Sequence, residues 1–254
     1  MSLDIFRLDG RVALVTGGSK GLGKAMARAF ALAGADVIIS SRHQDELQAA
    51  LAEILAGTPR RGEYLVADMA SREEVGRLAR TALERMSRVD ILVNNAGTNA
   101  PQAIDEISDE TWDNVLEVNL SSVMALTRAL VPQMKERRWG RVIHVSSILG
   151  TVSKEKRNVY SATKSALMGL ARASALDLGP YGITVNCLAP GPFLTELPAR
   201  LLSDAEKRAF ADRTALGRWG EPRELMGPAL LLASEAGAYI TGETLVVDGG
   251  YLAR

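Results

Sequence analysis

The stretch that most constrains the fold lies near the start of the chain. Residues 11–16 (RVALVT) form a short, β-branched apolar run. Gly17-Gly18-Ser19-Lys20-Gly21-Leu22-Gly23 follows at once, and KAMARAFALAGA then carries helical periodicity. A strand that turns through glycines into a helix leaves the first N–H groups of that helix free and turns the positive end of its dipole toward the loop. Glycines let the backbone turn tightly and come close to a ligand. Strand, glycine loop and helix in that order is the context in which a glycine motif points to a dinucleotide pyrophosphate. The spacing is Gly-x-x-x-Gly-x-Gly through Gly17, Gly21 and Gly23, rather than the commoner Gly-x-Gly-x-x-Gly.

The alternation continues along the chain. Residues 36–40 read as a second strand, 43–56 as an amphipathic helix ended by Gly57-Thr58-Pro59, and 63–67 as a third strand ending at Asp68. Residues 71–86 read as a helix, with Ser71 as N-cap and Glu74 three on, the pattern of a capping box. Residues 89–93 form a fourth strand running into Asn94-Asn95-Ala96-Gly97. One long helix is expected over 109–137, carrying Asn119 between Val118 and Leu120, then a fifth strand over 140–147, a helix over 158–178 and a sixth strand over 182–188. A helix over 221–233, despite Gly227-Pro228, and a strand over 243–247 close the series. Such alternation implies right-handed βαβ units and a parallel sheet covered on both faces. With no linker, repeat or low-complexity segment, the 254 residues read as one domain, an α/β Rossmann-like doubly wound sheet of about seven strands. The polar segment from about 192 to 218 is the natural substrate loop.

The chemistry concentrates at residues 147–164. Tyr160 and Lys164 are four apart on the expected helix and so lie on one face. A nearby ammonium favours phenolate and lowers a tyrosine from about 10 toward the working range, as a general acid/base requires. Ser147, just after the apolar run 142–145, is placed to hydrogen-bond an oxygen that Tyr160 protonates. In dinucleotide folds an acid at the end of the second strand holds the ribose 2′-hydroxyl, whereas a base accommodates a 2′-phosphate. Here Ser41 and Arg42 stand there, and Lys20 lies in the glycine loop. Two cations at one spot favour NADP(H) over NAD(H).

Composition excludes several alternatives. Thirty Lys and Arg balance thirty Asp and Glu, which argues against a nucleic-acid surface. Cys187 is the only cysteine, so no intrachain disulfide forms, and its apolar setting suits a buried core residue. His43 and His144 are far apart, and no metal site is expected. No apolar run reaches the roughly 18 residues needed to span a membrane, and the N-terminus lacks a basic stretch followed by an apolar one. A soluble cytoplasmic protein is expected.

Taken together, TGGSKGLG, NNAG, Ser147 followed by Tyr160-x-x-x-Lys164, and PGPFLT resemble the short-chain dehydrogenase/reductase family over essentially the whole chain. The resemblance implies that Tyr160 is the acid/base, that Lys164 lowers its pKa and holds the nicotinamide ribose, and that Ser147 rather than Ser146 is the catalytic serine. It implies that Asn119 holds a water relaying protons through Lys164. Gly17, Ser19, Gly21, Leu22 and Gly23 would cradle the adenosine pyrophosphate, Asp68 and Met69 would meet adenine, and Asn95, Ala96 and Gly97 would line the cofactor. Pro190, Gly191, Phe193 and Thr195 would fix the nicotinamide amide. A homotetramer or homodimer using the helix after Tyr160, rich in small residues, is implied as well. In general pattern the chain is similar to 3-oxoacyl-[acyl-carrier-protein] reductases, although Pro132 and Tyr181 stand where those tend to offer arginines. From Pro190 onward it looks more like gluconate 5-dehydrogenases. Lys154, Lys156 and Arg157 are placed to attract a carboxylate. A non-catalytic NADP(H)-binding scaffold is the alternative of a different class, and it is disfavoured because all four catalytic positions carry the required residue types.

Overall fold

The computed structural model describes residues 3–195 and 203–253. Seven strands form one sheet: β1 (Val12–Thr16), β2 (Asp36–Ser41), β3 (Gly62–Val66), β4 (Ile91–Asn94), β5 (Gly140–Val145), β6 (Ile183–Pro190) and β7 (Thr244–Val247). Their order is β3-β2-β1-β4-β5-β6-β7, and every neighbouring pair is parallel. The chain winds outward from β1 to β3, then returns to lay β4 against the other side of β1. That reversal opens a crevice above the carboxyl ends of β1 and β4, the place where such sheets bind ligands.

Helices cover both faces. They are α1 (Gly21–Ala33), α2 (Gln44–Leu55), α3 (Arg72–Met86), α4 (Asp109–Leu116), α5 (Ser122–Arg137), α6 (Asn158–Leu178), α7 (Asp204–Asp212) and α8 (Met226–Ala233). Successive strand residues point to opposite faces. Leu14, Leu92, Val142 and Val185 therefore join one buried cluster with α3, α5 and α6. Ala13, Val15, Ile91 and Ile143 join the other, with α1, α2 and α8.

At the opposite, amino-terminal edge of the sheet, fully buried Asp90 ties strands to helices. Its carboxylate accepts from Val12 N at 2.9 Å and from Arg88 Nε at 2.7 Å, with Arg137 Nε 3.7 Å away. Replacing it by alanine strands these donors in a buried place. Asp90→Ala is expected to cost about 3 kcal/mol and to lower Tm by about 6–12 °C, read by thermal denaturation.

Four expectations need correction. The helix over 109–137 is not uniform: one π turn, Glu117–Ser121, interrupts it between α4 and α5. Such turns are frequent at functional sites, and here Asn119 inside the turn is buried and bonded outward. The final helix begins as a 3-10 turn, Pro222–Leu225, before α8, so Pro228 falls in the first α-helical turn, where a missing N–H costs nothing. The capping box of α3 is half formed. Ser71 Oγ accepts from Glu74 N at 3.3 Å, but the Glu74 carboxylate accepts from Asp68 N at 2.8 Å instead. Finally, the helical span Asp109–Arg137 is long and apolar enough by length and composition to cross a membrane; its apolar character serves the core, against which Val123, Leu126, Leu130 and Met134 are packed.

Candidate active site

The glycine loop is tight because nothing larger fits. Gly17 has φ +63°, and a Cβ there would lie 2.8 Å from Asn95 Nδ2. A Cβ on Gly23 would lie 2.2 Å from Gly17 O. Asn95 clamps this loop to the turn after β4. Its Nδ2 donates to Thr16 O (2.9 Å) and Gly17 O (3.1 Å), while the backbone N–H groups of Asn95 and Ala96 share Thr16 Oγ1, each at 3.0 Å. Lys20 caps α1 in an extended conformation with no side-chain hydrogen bond to the helix. The first-turn N–H groups are therefore left for a ligand.

Two cavities open here. One, of about 400 Å³, is lined by Ser19, Lys20, Ser41, Arg42, Asp68 and Met69, among others. The Oγ atoms of Ser40 and Ser41 are buried at this end without a partner. The other, of about 770 Å³, brings Gly21, Leu22 and Gly23 together with Asn95, Ser147, Tyr160, Lys164, Pro190, Gly191 and Thr195. Lys20, Arg42 and Gly97 border both, so the two form one cleft. A glycine cradle, an uncapped helix start and unpartnered hydroxyls beside a cation fit a dinucleotide with a phosphorylated ribose.

Lys20 and Arg42 do meet at one spot, but an acid stands there too. Lys20 Nζ donates to Glu46 Oε1 at 2.5 Å. This bond, with the charges of His43 and Arg42, holds the Glu46 carboxyl below the usual range. Glu46 lies in the first turn of α2; an acid in a helix's first turn was the signal available in the sequence.

The residues expected to be catalytic lie after β5 and on α6. The strand ends at Val145, and Ser147 caps a short 3-10 turn, its Oγ accepting from Leu149 N at 3.1 Å. The Ser146 hydroxyl is engaged elsewhere, donating to Lys164 O at 2.7 Å. Lys164 is buried, and its Nζ donates to Val145 O at 2.8 Å. Burial pushes the Lys164 ammonium down to about 8. Its Nζ sits 5.6 Å from the centre of the Tyr160 ring.

The phenol departs from expectation. Burial raises Tyr160, and the influences that pull it back are the Ser147 hydroxyl and the charge of Arg157, not Lys164. Helical spacing brings the two side chains to one face, but it says nothing of the solvent lost around them.

Asn119, fully buried, is held from both ends. Its Nδ2 donates to Thr98 O (2.9 Å) and Thr163 Oγ1 (3.1 Å), and its Oδ1 accepts from Thr98 N at 2.8 Å. It thus staples the turn after β4 to the helix of Tyr160. Phe193 is buried against Gly220 rather than in the cleft; Leu194 N donates to Gly220 O at 2.8 Å and Gly220 N to Pro192 O at 2.9 Å. Of the expected substrate loop, residues 196–202 lie outside the described residues. Beyond them α7 is stapled down where Trp219 Nε1 donates to Lys207 O at 2.7 Å and Phe210 packs edge-on to Trp219.

The sequence reading missed a polar row beneath Lys164. Asn94 Nδ2 donates to Thr127 Oγ1 (3.2 Å) and meets His144 Nδ1 at 3.1 Å. His144 is fully buried and pushed down to about 4, chiefly by burial and next by the Lys164 charge, so it is neutral. The only sequence signal was a histidine interrupting an apolar strand.

The comparisons agree with this geometry. The family model described as Enoyl-(Acyl carrier protein) reductase matches residues 17–252. The chain is 37% identical over 257 residues to 2-dehydro-3-deoxy-D-gluconate 5-dehydrogenase of Dickeya dadantii, covering 100% of both. It is 38% identical over 242 residues to 3-oxoacyl-[acyl-carrier-protein] reductase FabG of Escherichia coli, covering 95% of this chain and 97% of the relative. Among solved structures it matches a gluconate 5-dehydrogenase of Burkholderia cenocepacia in complex with NADP and tartrate, with TM-score 0.93, 36% identity and 100% of each chain covered. A doubly wound seven-stranded sheet, a glycine cradle at its switch point and full-length likeness to such enzymes place the chain in the short-chain dehydrogenase/reductase family of NAD(P)-dependent oxidoreductases acting on CH–OH donors.

Proposed function

We propose that this chain interconverts a ketone and a secondary alcohol with NADP(H), Tyr160 acting as the acid/base. The observation that carries this reading is the single cleft in which Ser147, Tyr160 and Lys164 face the glycine cradle. When bound, NADP(H) supplies the hydride for reduction and accepts it in oxidation. Gly17, Ser19, Gly21, Leu22 and Gly23 hold the pyrophosphate against the start of α1, and Asp68 and Met69 flank the adenine. Asn95, Ala96, Gly97, Pro190, Gly191 and Thr195 shape the nicotinamide end, with Phe193 anchoring the last of these from behind. Ser147 donates to the substrate oxygen. As the carbonyl carbon gains its hydride, the oxygen takes the Tyr160 proton, leaving a phenolate. Lys164 stabilises that charge, and a water held at Asn119 returns the proton through Lys164.

A substrate panel with NADPH, covering 5-keto-gluconate, β-ketoacyl thioesters and simple diketones, tests the reading. NADPH consumption with at least one ketone is expected. Intact NADPH binding with no consumption would favour the scaffold alternative. Pro132 and Tyr181, where arginines would meet an acidic carrier, favour a keto sugar acid over an acyl-carrier substrate.

Lys20 and Arg42 select the 2′-phosphate. A charge-assisted hydrogen bond to a phosphate contributes about 10–100-fold in affinity. Arg42→Ala is thus expected to lower the NADPH/NADH ratio of kcat/KM by about that factor; an unchanged ratio would remove Arg42 from cofactor selection. In function the protein is proposed to be cytoplasmic and to assemble as a homotetramer or homodimer, with α6 offering Ala162, Ala173 and the exposed Leu176 to a neighbour.

A further inference from the structure

The three cations before Tyr160 have different surroundings. Lys154 is exposed, with its ammonium 5.0 Å from the centre of the Phe210 ring and its charge felt by Glu206. Lys156 is exposed and left-handed, with φ +62°, a conformation that costs a lysine energy and persists where the surroundings enforce it. Arg157 is half-buried and has no ion pair or side-chain hydrogen bond among the described residues. Its neighbour Glu155 is exposed and makes no ion pair with it. A charge partly removed from water with no partner calls for one.

The strained loop sets Arg157 in place. Gln102 N donates to Lys156 O at 3.1 Å, residues 102 and 157 pair as a parallel bridge, and Asn158 Nδ2 donates to Gln102 O at 3.1 Å. The segment stapled this way follows Thr98 and Asn99, which line the cleft. Arg157 caps α6 three residues before Tyr160, on the same side of the helix. No side chain caps that helix start. Gln102 Oε1 is buried without a partner, an acceptor for a hydroxyl.

We propose that Arg157 binds the anionic end of the substrate and makes this site selective for a short oxo acid bearing a carboxylate and a hydroxyl. This rests on the ketone-reductase reading above. The charge that recognises the carboxylate also favours the phenolate of Tyr160, so substrate choice and proton transfer share one residue.

The experiment measures kcat/KM for 5-keto-gluconate and for uncharged butane-2,3-dione in the wild type, Arg157→Gln and Arg157→Lys, with Lys154→Gln as the control. Arg157→Gln is expected to lower the 5-keto-gluconate/dione ratio by about 10–100-fold, mainly through KM for the acid. Arg157→Lys should recover part of the ratio, and Lys154→Gln should keep it. A ratio that changes less than about threefold in Arg157→Gln overturns the proposal. Calorimetric titration of tartrate into the protein–NADPH complex separates this from the reaction itself. If the wild type reduces no ketone yet binds tartrate, and Arg157→Gln does not, only the reductase reading falls. If the wild type reduces a ketone but binds no tartrate and shows no preference for the acid, Arg157 recognition falls alone.

Discussion

Tyr160→Phe is expected to lower kcat by about 10³-fold, the scale of a lost general acid, while NADPH still binds. The ring remains to fill its place; only the hydroxyl beside Ser147 is gone. The pH dependence follows from the same environment. Burial holds the phenol above its ordinary value, so at neutral pH it carries the proton that reduction needs. Lys164, pushed down to about 8, is charged below that pH and neutral above it. Raising the pH therefore removes the ammonium that stabilises the nascent phenolate before it removes the phenol's own proton. Reduction should be level at neutral pH and fall as pH rises through about 8. Oxidation, which needs the phenolate, should gain with pH from the tyrosine and lose from the lysine. A Tyr160→Phe rate within about tenfold of wild type would mean that another group supplies the proton.

The second large effect is expected at Gly23. A methyl there would lie 2.2 Å from Gly17 O and 2.5 Å from Asn95 Nδ2. Neither atom is free to retreat, since Asn95 Nδ2 donates to Gly17 O, and Asn95 N is bonded to Thr16 Oγ1. Gly23→Ala must push α1 away from the loop it completes. The loss of NADPH affinity should exceed about 100-fold, because misplaced N–H groups leave a bound phosphate unsatisfied. Overpacking should also cost about 1–3 kcal/mol. Gly76→Ala is the matching control: its Cβ would meet only the end of the Arg80 side chain at 3.4 Å, and alanine inside α3 should stabilise by up to about 1 kcal/mol. Fluorescence titration with NADPH and thermal melts read both variants.

The seven strands were legible because parallel strands buried on both faces read as unbroken apolar runs; β1, β5 and β6 are buried at every residue. The glycine loop was legible because tight backbone approach leaves a compositional mark. Features that depend on three-dimensional neighbours were not. Inside the π turn Asn119 bonds to Thr98 and Thr163, partners that no local periodicity encodes. Glu46 pairs with Lys20 across 26 residues. The direction of the Tyr160 shift depends on lost solvent rather than on the Lys164 spacing. The basic run 154–157 reads as three equal charges, and only the fold separates the unpaired Arg157 from Lys154 at Phe210.

The most direct measurement follows the hydride. Reduction of the best ketone from the panel with NADPH deuterated at nicotinamide C4 should place one deuteron on the carbinol carbon of the product, and Tyr160→Phe should form that product about 10³-fold more slowly. NADPH that binds in the cleft while every ketone returns without deuterium at carbon would contradict a hydride-transferring site built on Ser147, Tyr160 and Lys164.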